Sequence, residues 1–372
     1  MIYLDHSATS LPKAQGVPEA MMHALQWGNP GRSGYEPALE SSRAMLDTRC
    51  ELATILGMQD ESRLIFSSGA TESLNLGIRG IMKSGTRVIS SNLEHNSVAR
   101  PLANGQKNDA WQWIILDACG VDFCDRLEAA LKIPTELVVV NHVSNVSGQR
   151  QSMEHIRKIC RDYRTPLLWD VSQSVGCELL ELQAGEMLAG GAHKGLRGPM
   201  GLGFLAVGES INLSPIMFGG TGSASESLEL PSFWPDRYES GTPNVPAVAG
   251  LGAALRGLTA DVLMQREREL QHRRSIIWDG LQGVLGLKVI GPRSGGTAIS
   301  LQMPHDAGVL AQTLWEKYKI ALRIGLHCSP LAHQSLGTFP HGTLRIAPSY
   351  ETKIEEIGYF LDVFLREFSK YS

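Results

Sequence analysis

The sequence predicts an α/β protein built on a mainly parallel sheet. Between residues 63 and 207, one phrase recurs: a short apolar run, a turn and then a longer amphipathic stretch. Most of these runs lack polar alternation, which is typical of strands that are covered on both faces. Alternating strands and helices favour parallel pairing through right-handed crossovers. The runs read RLIFSS, RVISS, WQWIIL, ELVVVNH, PLLWD, EMLAGG and GLGFLAV.

The predicted helices lie between these runs and beyond them. Amphipathic stretches begin at Thr71 and Ser152, a long charged helix spans roughly 260–281, and a final helix begins at about Thr352. After the long helix the pattern changes to α+β, which indicates a second, smaller domain. We therefore predict a large α/β domain over 15–255 and a small α+β domain formed by 1–14 and 256–372.

Composition excludes several classes of protein. The 372 residues are 43% hydrophobic and 19% charged, and the net charge of -4 argues against nucleic-acid binding through a basic face. No window of eighteen residues is apolar throughout, and MIYLDHSATS lacks the pattern of a secretory signal, so neither a membrane span nor export is predicted. The six cysteines are scattered, which favours a reducing cytoplasm and free thiols. No metal site is predicted, since no cysteine or histidine pair has ligand spacing.

The candidate functional residues follow the apolar runs, because ligands of open α/β sheets bind beyond the carboxyl ends of the strands. Lys194 lies in the glycine-rich GGAHKGLRG. A lysine is usually a solvated surface group, but one kept partly dry has a lowered pKa and can form a Schiff base. Asp170, which ends PLLWD, suits either a helix N-cap or the partner of a pyridine ring nitrogen. Gln173 could bond the phenolic oxygen of the same ring.

Two further strand ends add an anion site and an imidazole. In FSSGATESLN, small residues lead into a helix, so backbone N–H groups near Ala70 and the Thr71 hydroxyl suit a phosphate. His95 of LEHNSV suits either a structural histidine or a ring stacked over a planar cofactor that exchanges protons with a substrate thiol. Together with Lys194 and Asp170, these groups predict a pyridoxal phosphate site.

The ordered motifs also resemble those of the cysteine desulfurase family, within the class V aminotransferases of the fold-type I pyridoxal phosphate enzymes. The resemblance covers essentially the whole chain, including YLDHSATS, GNPGRSGYEPALESSR, FSSGATESLN, LEHNSVARPL, NHVSNVSGQ, DVSQSVG, GGAHKGLRGPMGLGFL, FGGTGSASES, ESGTPNVP, RIGLHCSPLAHQSLGT and GTLRIAPSY. It implies a mainly parallel seven-stranded sheet with a smaller C-terminal domain. It also implies a homodimer that binds L-cysteine and passes sulfur to an acceptor protein.

The resemblance implies a role for each matched residue. Lys194 would hold pyridoxal phosphate as a Schiff base under the ring of His95, with Asp170 at the ring nitrogen and Gln173 at the phenolic oxygen. Other matched residues would bind the phosphate or the substrate. At the phosphate these are Ala70, Thr71, His193 and, from the other subunit, Thr242; Asn145 would contact both cofactor and substrate, and Arg345 would take the substrate carboxylate.

Cys328 would be the nucleophile that takes the substrate sulfur as a persulfide and releases alanine. A lone cysteine also suits a buried filler, so the segment RIGLHCSPL is the part of the sequence that separates sulfur transfer from the other reactions of this scaffold. It resembles the subgroup with a short, ordered cysteine loop. The alternatives are a cystine or selenocysteine lyase, a pathway-specific aminotransferase, or a non-enzymatic interaction module.

The chain departs from the family pattern at three places. His6 and Ser7 follow Asp5 where relatives usually have Asn and Ala, and Tyr35 stands where a histidine is common. Gly191 replaces a serine that contacts the phosphate in many relatives, a loss for which Thr221 is a candidate to compensate. These departures bear on fine specificity more than on cofactor binding.

Overall fold

The computed structural model describes residues 1–31, 34–120 and 122–370. A short strand, β1 (Ile2–Tyr3), precedes the seven strands of the main sheet, and each of those seven coincides with one apolar run of the sequence. The seven are β2 (Leu64–Ser67), β3 (Arg87–Ser91), β4 (Gln112–Leu116), β5 (Leu137–Asn141), β6 (Leu167–Asp170), β7 (Glu186–Gly191) and β8 (Gly203–Val207).

The main sheet has the order β2-β8-β7-β6-β5-β3-β4. Strands β4, β3, β5, β6 and β7 run parallel to one another, whereas β8 is antiparallel to both β7 and β2. The predicted mainly parallel seven-stranded sheet is confirmed. Because every strand of this sheet except β8 runs in one direction, the loops that follow those strands meet along a single edge.

Burial explains why the central runs carry no polar alternation. Every residue of β5, β6, β7 and β8 is buried. Val138 and Val140 pack into the core on one face of the sheet, and Leu137 and Val139 pack into the core on the other. Side chains on both faces of these strands are therefore removed from water, as continuous apolar runs predict.

The helices agree with the predicted positions to within two residues. The long charged helix has the predicted bounds, and the final helix begins two residues after Thr352 because Lys353 is an extended N-cap. The helices are α1 (Val17–Ala24), α2 (Glu36–Ile55), α3 (Ala70–Ile81), α4 (Asn96–Asn108), α5 (Phe123–Leu131), α6 (Met153–Asp162), α7 (Val245–Leu255), α8 (Ala260–Leu281), α9 (Ala307–Tyr318), α10 (Pro330–Ser335) and α11 (Ile354–Phe368). Some helices cover the two faces of the main sheet, and others, such as α9 and α11, pack in the C-terminal part of the chain.

The C-terminal part of the chain forms a second packing unit. Its antiparallel sheet has the order β12-β13-β10-β9, and β11 pairs in parallel with β1. Leu4 packs in the core of this unit, so the N-terminal segment joins the C-terminal elements. Helix α8 contributes to two cores: Leu263 packs in the core beside the main sheet, and Ile277 packs in the core of the C-terminal unit. The division at 255/256 into independent domains stays a prediction. The strands are β9 (Lys288–Ile290), β10 (Ile299–Gln302), β11 (Ile320–Ala321), β12 (Arg323–Gly325) and β13 (Thr343–Ile346).

Helix length and composition bear on membrane insertion. Across residues 1–31, 34–120 and 122–370, no single helix is long and apolar enough to cross a bilayer. Only α7 and α8 taken together, bent by 82° at their junction, meet the length and composition requirement. Most of α7 is buried within the protein.

Candidate active site

A cavity of about 420 Å³ opens at the edge of the main sheet where the parallel strands end. Its volume lies within the usual range for small-molecule sites. It brings together every predicted catalytic, cofactor and substrate residue except Thr242. Those that line it are Ala70, Thr71, His95, Asn145, Asp170, Gln173, His193, Lys194, Cys328 and Arg345.

Lys194 lies three residues after β7, on a turn that the neighbouring Gly195 packs tightly against the turn that follows β6. A Cβ at Gly195 would lie 2.3 Å from the Val175 carbonyl oxygen, so only glycine allows this approach. Burial lowers the pKa of Lys194 to about 8, with Asp170 and Cys328 opposing the shift and the cations Arg345 and Arg323 adding to it. About a tenth of the amine is therefore unprotonated, and nucleophilic, at pH 7, far more than for an ordinary lysine.

The residues that follow β6 are held by local bonds. The Asp170 carboxylate is buried, and its Oδ1 accepts a hydrogen bond of 2.9 Å from the backbone N–H of Ser172. This bond forms a turn rather than the helix N-cap that the sequence offered as one alternative, since no helix begins directly after β6 in the described chain, and the carboxylate still lines the cavity. Gln173 Nε2 donates to the Ser7 carbonyl oxygen at 3.1 Å, which ties the N-terminal segment across the site.

His95 is both the N-cap of α4 and a wall of the cavity. Its Nδ1 accepts from the Ser97 backbone N–H at 3.1 Å. Burial lowers the pKa of His95 to about 4, and Lys194 adds to the shift. The imidazole is therefore neutral near pH 7. Since a backbone N–H can only donate, the neutral ring carries its proton on Nε2.

The N-terminus of α3 and His193 lie at the end of the cavity predicted to take the phosphate. Gly69 is the N-cap and has no side chain, so the first N–H groups of the helix, at Ala70 and Thr71, have no capping acceptor. His193 Nδ1 bonds Thr9 Oγ1 at 3.0 Å, and burial lowers the pKa of His193 to about 4. The N–H groups of Ala70 and Thr71 therefore offer uncharged donors to an anion, and the imidazole of His193 beside them is neutral near pH 7.

Gly191, one of the three departures described from the sequence, lies in the same region. A Cβ at Gly191 would lie 3.2 Å from His193 Cδ2 and 3.9 Å from Ala70 Cβ. The hydroxyl that this chain lacks would thus lie among the predicted phosphate-binding residues. Tyr35, the departure in the motif GNPGRSGY, is exposed. Arg32 and Ser33 of the same motif lie outside the described residues.

Cys328 is exposed on a tight turn between β12 and α10, in contact with the cavity. The backbone carbonyl of Cys328 accepts a hydrogen bond of 2.7 Å from Asn96 N, the first residue of the helix that His95 caps. Both His327 and Cys328 have left-handed backbone, with φ of 47° and 58°. The predicted nucleophile is thus anchored beside the predicted proton carrier.

Arg345 is buried, and it already has a carboxylate partner. Its Nη2 donates to Asp5 Oδ1 at 2.7 Å and its Nη1 to the Asn145 carbonyl oxygen at 3.0 Å, while its Nε has no partner among the described residues. Asn145 is predicted to contact cofactor and substrate. Its side-chain amide forms hydrogen bonds with His327 and Ser329, the two residues that flank Cys328.

Sequence reasoning missed two charged residues of this site. Arg323 lines the cavity directly across the β12–β13 ladder from Arg345. Asp5, which pairs with Arg345, has no role predicted from the sequence, where it is only the residue that precedes His6 and Ser7. The order of charged residues along a chain does not fix the register between distant strands, so neither pairing was visible in the sequence.

Thr242 does not join the first cavity. It is exposed and lines a second cavity of about 630 Å³, together with Thr221. The two cavities share Ser68, Glu72, Gly201 and Leu202 in their walls. The proposed role of Thr242 in the partner's site therefore stays a prediction.

The groups that line the first cavity fit a phosphate-bearing pyridine aldehyde. A lysine with a pKa of about 8, a buried carboxylate and an uncapped helix N-terminus match its aldehyde, ring nitrogen and phosphate. Two buried oxygens on the wall, Ser7 Oγ and Asn141 Oδ1, have no hydrogen-bond partner within the described chain. Buried polar atoms without a partner are rare and suit a site that receives a ligand.

Comparison with known proteins agrees with this fold and site. The family model for class-V aminotransferases matches residues 2–360. The chain therefore belongs to the class-V aminotransferase family.

Within that class, several similar proteins are named cysteine desulfurases. A probable cysteine desulfurase of Chlamydia trachomatis is 30% identical over 88% of this chain and 85% of its own, and one of Methanothermobacter thermautotrophicus is 27% identical over 96% and 92%. The structure of the cysteine desulfurase of Thermococcus onnurineus superposes with a TM-score of 0.90 at 27% identity, covering 99% of this chain and 95% of that one. The chain is a member of the cysteine desulfurase family, with the fold-type I architecture predicted from its motifs.

Proposed function

We propose that this protein is a pyridoxal phosphate-dependent cysteine desulfurase, which converts L-cysteine to L-alanine and transfers the sulfur to Cys328. The observation that carries the proposal is the position of Cys328 on the cavity that also holds Lys194, Asp170 and Arg345. A transaminase needs the lysine, the carboxylate and the arginine but no thiol at this place. The thiol therefore favours sulfur transfer over the scaffold's other reactions.

The cofactor would be held from three sides. Lys194 would bind its aldehyde carbon covalently, Asp170 would pair with its ring nitrogen, and His193 with the first N–H groups of α3 would bind its phosphate. Gln173 would reach the phenolic oxygen by exchanging its bond to the Ser7 carbonyl. When bound, pyridoxal phosphate would supply an electron sink for the bonds at the substrate's α-carbon.

The carboxylate of L-cysteine would bind at Arg345. A planar guanidinium suits a carboxylate through paired hydrogen bonds, and the free Nε of Arg345 offers one of them. Asp5 holds the same guanidinium through Nη2. The substrate would therefore share Arg345 with Asp5 or displace it, and the second cation, Arg323, would offset the added negative charge.

Sulfur transfer breaks the Cβ–S bond of L-cysteine and forms an S–S bond between that sulfur and Cys328 Sγ. The electron pair of the broken bond stays with the β-carbon, which also takes up a proton. The proton lost by the Cys328 thiol balances it, so one L-cysteine and one thiol give one alanine and one persulfide. His95, neutral and with its proton on Nε2, would act first as a hydrogen-bond donor to the substrate.

The same proposal includes a homodimer, an acceptor protein and a cytoplasmic location. Thr242 would complete the phosphate site of the partner subunit, and its exposure beside the wall shared by the two cavities supports this. An exposed Cys328 on a four-residue turn suits delivery of sulfur to an acceptor and the short-loop subgroup. Six free cysteines support a reducing compartment.

Product analysis of the purified holoenzyme with L-cysteine tests the function. We expect alanine as the amino-acid product, turnover that requires a thiol reductant, and loss of alanine formation in Cys328→Ala while the absorbance of the bound cofactor persists. Pyruvate and ammonia in place of alanine would show a lyase instead. Transfer of the amino group to a keto acid would show an aminotransferase.

A further inference from the structure

The turn that carries Cys328 has an unfavourable backbone. Ser329 N donates to the Leu326 carbonyl oxygen at 2.9 Å, and the two central residues, His327 and Cys328, have φ of 47° and 58°. Two left-handed central residues define a type I′ turn, which strongly favours asparagine and glycine. Histidine and cysteine adopt this conformation only when other contacts hold it.

The Asn145 side chain supplies such contacts on both sides of Cys328. Its Nδ2 donates to the His327 carbonyl oxygen at 2.7 Å, and its Oδ1 accepts from Ser329 Oγ at 2.8 Å. Asn145 and Ser329 are both buried, so the two bonds are shielded from water. The amide thus holds the residue before Cys328 and the residue after it.

This arrangement is continuous with the rest of the site. Arg345 Nη1 donates to the Asn145 carbonyl oxygen, and Asn96 N donates to the Cys328 carbonyl oxygen. The turn is therefore fixed to the carboxylate-binding arginine on one side and to the helix of His95 on the other.

We propose that Ser329 and Asn145 are positioning residues that hold the Cys328 turn in its left-handed conformation and so keep the thiol at the substrate sulfur. This inference rests on the proposed desulfurase function. Asn145 lines the cavity and is itself a predicted ligand of cofactor and substrate, whereas Ser329 does not line it. Ser329 is therefore the residue whose substitution separates positioning of the thiol from binding.

The test is a single-turnover reaction of holoenzyme with L-cysteine, followed by two separate readouts. The change in cofactor absorbance reports substrate binding, and peptide mass spectrometry of quenched samples reports persulfide on Cys328. In Ser329→Ala we expect unchanged binding and persulfide formation slowed about tenfold, the effect of one net hydrogen bond. The control is Ser335→Ala: the Ser335 hydroxyl donates to Leu331 O and accepts from Asn92 Nδ2 but does not contact Asn145, so this variant should behave as wild type.

A second substitution distinguishes positioning from general damage. Asparagine tolerates left-handed backbone, so His327→Asn lowers the cost of the turn. In the His327→Asn background, which also lacks the bond of His327 Nε2 to Thr343 Oγ1, Ser329→Ala should therefore slow persulfide formation at least about threefold less than it does in the wild type. Wild-type persulfide formation in Ser329→Ala, equal loss of substrate binding, or an equal slowing in the His327→Asn background would overturn the proposal. Absence of persulfide on Cys328 in the wild type would overturn the proposed function itself.

Discussion

At the scale of single residues, Lys194 differs from an ordinary lysine because burial lowers the pKa of its amine. Its pKa of about 8 predicts how quickly the apo protein captures pyridoxal phosphate. Only the free amine attacks the aldehyde, so below pH 8 the rate should fall about tenfold per unit, and above it the rate should level off. Stopped-flow absorbance from pH 6 to 10 measures this profile.

Two variants complete that experiment. Burial also lowers the pKa of Lys13 to about 8, and its Nζ donates to the His193 carbonyl oxygen, which makes it the matched control. Lys13→Ala should keep the Schiff-base absorbance and Lys194→Ala should lack it. A rate that keeps rising beyond pH 9 would contradict a lowered pKa at Lys194.

Asp5 makes a second prediction at this scale. Its carboxylate pairs with Arg345, which is 1% exposed, so Asp5→Asn leaves a buried guanidinium without a balancing charge. We expect the free energy of unfolding to fall by about 3 kcal/mol. We also expect a larger rise in melting temperature on adding L-alanine, because the ligand carboxylate replaces the missing charge.

The control for the ion pair of Asp5 with Arg345 is another aspartate–arginine ion pair, which lies at the surface. Asp279 pairs with Arg293, and both side chains are about half exposed, so Asp279→Asn should change neither stability nor the response to L-alanine. Equal thermal shifts with L-alanine in wild type and Asp5→Asn would show that Arg345 is not the carboxylate site.

At the scale of elements, the site depends on how closely two turns approach each other. One turn follows β6 and Asp170, and the other carries Lys194. A Cβ at Gly195 would lie 2.3 Å from Val175 O and 2.7 Å from Cys177 Sγ. Gly195→Ala should therefore force the turns apart, destabilise the fold by about 3 kcal/mol and weaken cofactor binding.

Thermal unfolding and cofactor titration check this prediction against another glycine. Gly358 lies in α11, and a Cβ there would meet nothing within 4 Å. Gly358→Ala should leave cofactor affinity unchanged and stability equal or slightly higher, since alanine favours a helix. If both variants bind cofactor as wild type does, the packing of the two turns does not control the site.

The elements also explain how far the sequence could predict the site. Apolar runs and their polar ends predicted the strands and the cavity, because the carboxyl ends of parallel strands meet at one edge. The left-handed turn at Cys328 and the pairing of Arg345 with Asp5 were not predictable. They depend on contacts between residues hundreds of positions apart, such as the bond of Ser329 to Asn145.

At the scale of the whole molecule, the proposed homodimer makes Thr242 a residue of the partner's site. Thr242→Ala should then bind pyridoxal phosphate several-fold more weakly, since one phosphate hydrogen bond is lost. Mixed dimers of Thr242→Ala with Lys194→Ala should contain one intact site. That site combines Lys194 of one subunit with Thr242 of the other.

Two measurements test whether Thr242 acts in the partner's site. Absorbance titration gives the cofactor affinity of the mixed dimers, and light scattering gives their molecular mass. Recovery of wild-type affinity in half of the sites is the expected result. If Thr242 acts within its own subunit, or if the protein is a monomer, mixing restores nothing. The Thr242→Ala protein alone serves as the baseline.

The central proposal is that Cys328 takes sulfur from L-cysteine. The most direct measurement is peptide mass spectrometry of holoenzyme after reaction with one equivalent of sulfur-labelled L-cysteine, with alanine counted in the same sample. We predict one labelled sulfur on the peptide that contains Cys328, in equal amount to alanine. Alanine formed without label on that peptide, or label on another cysteine, would contradict the account.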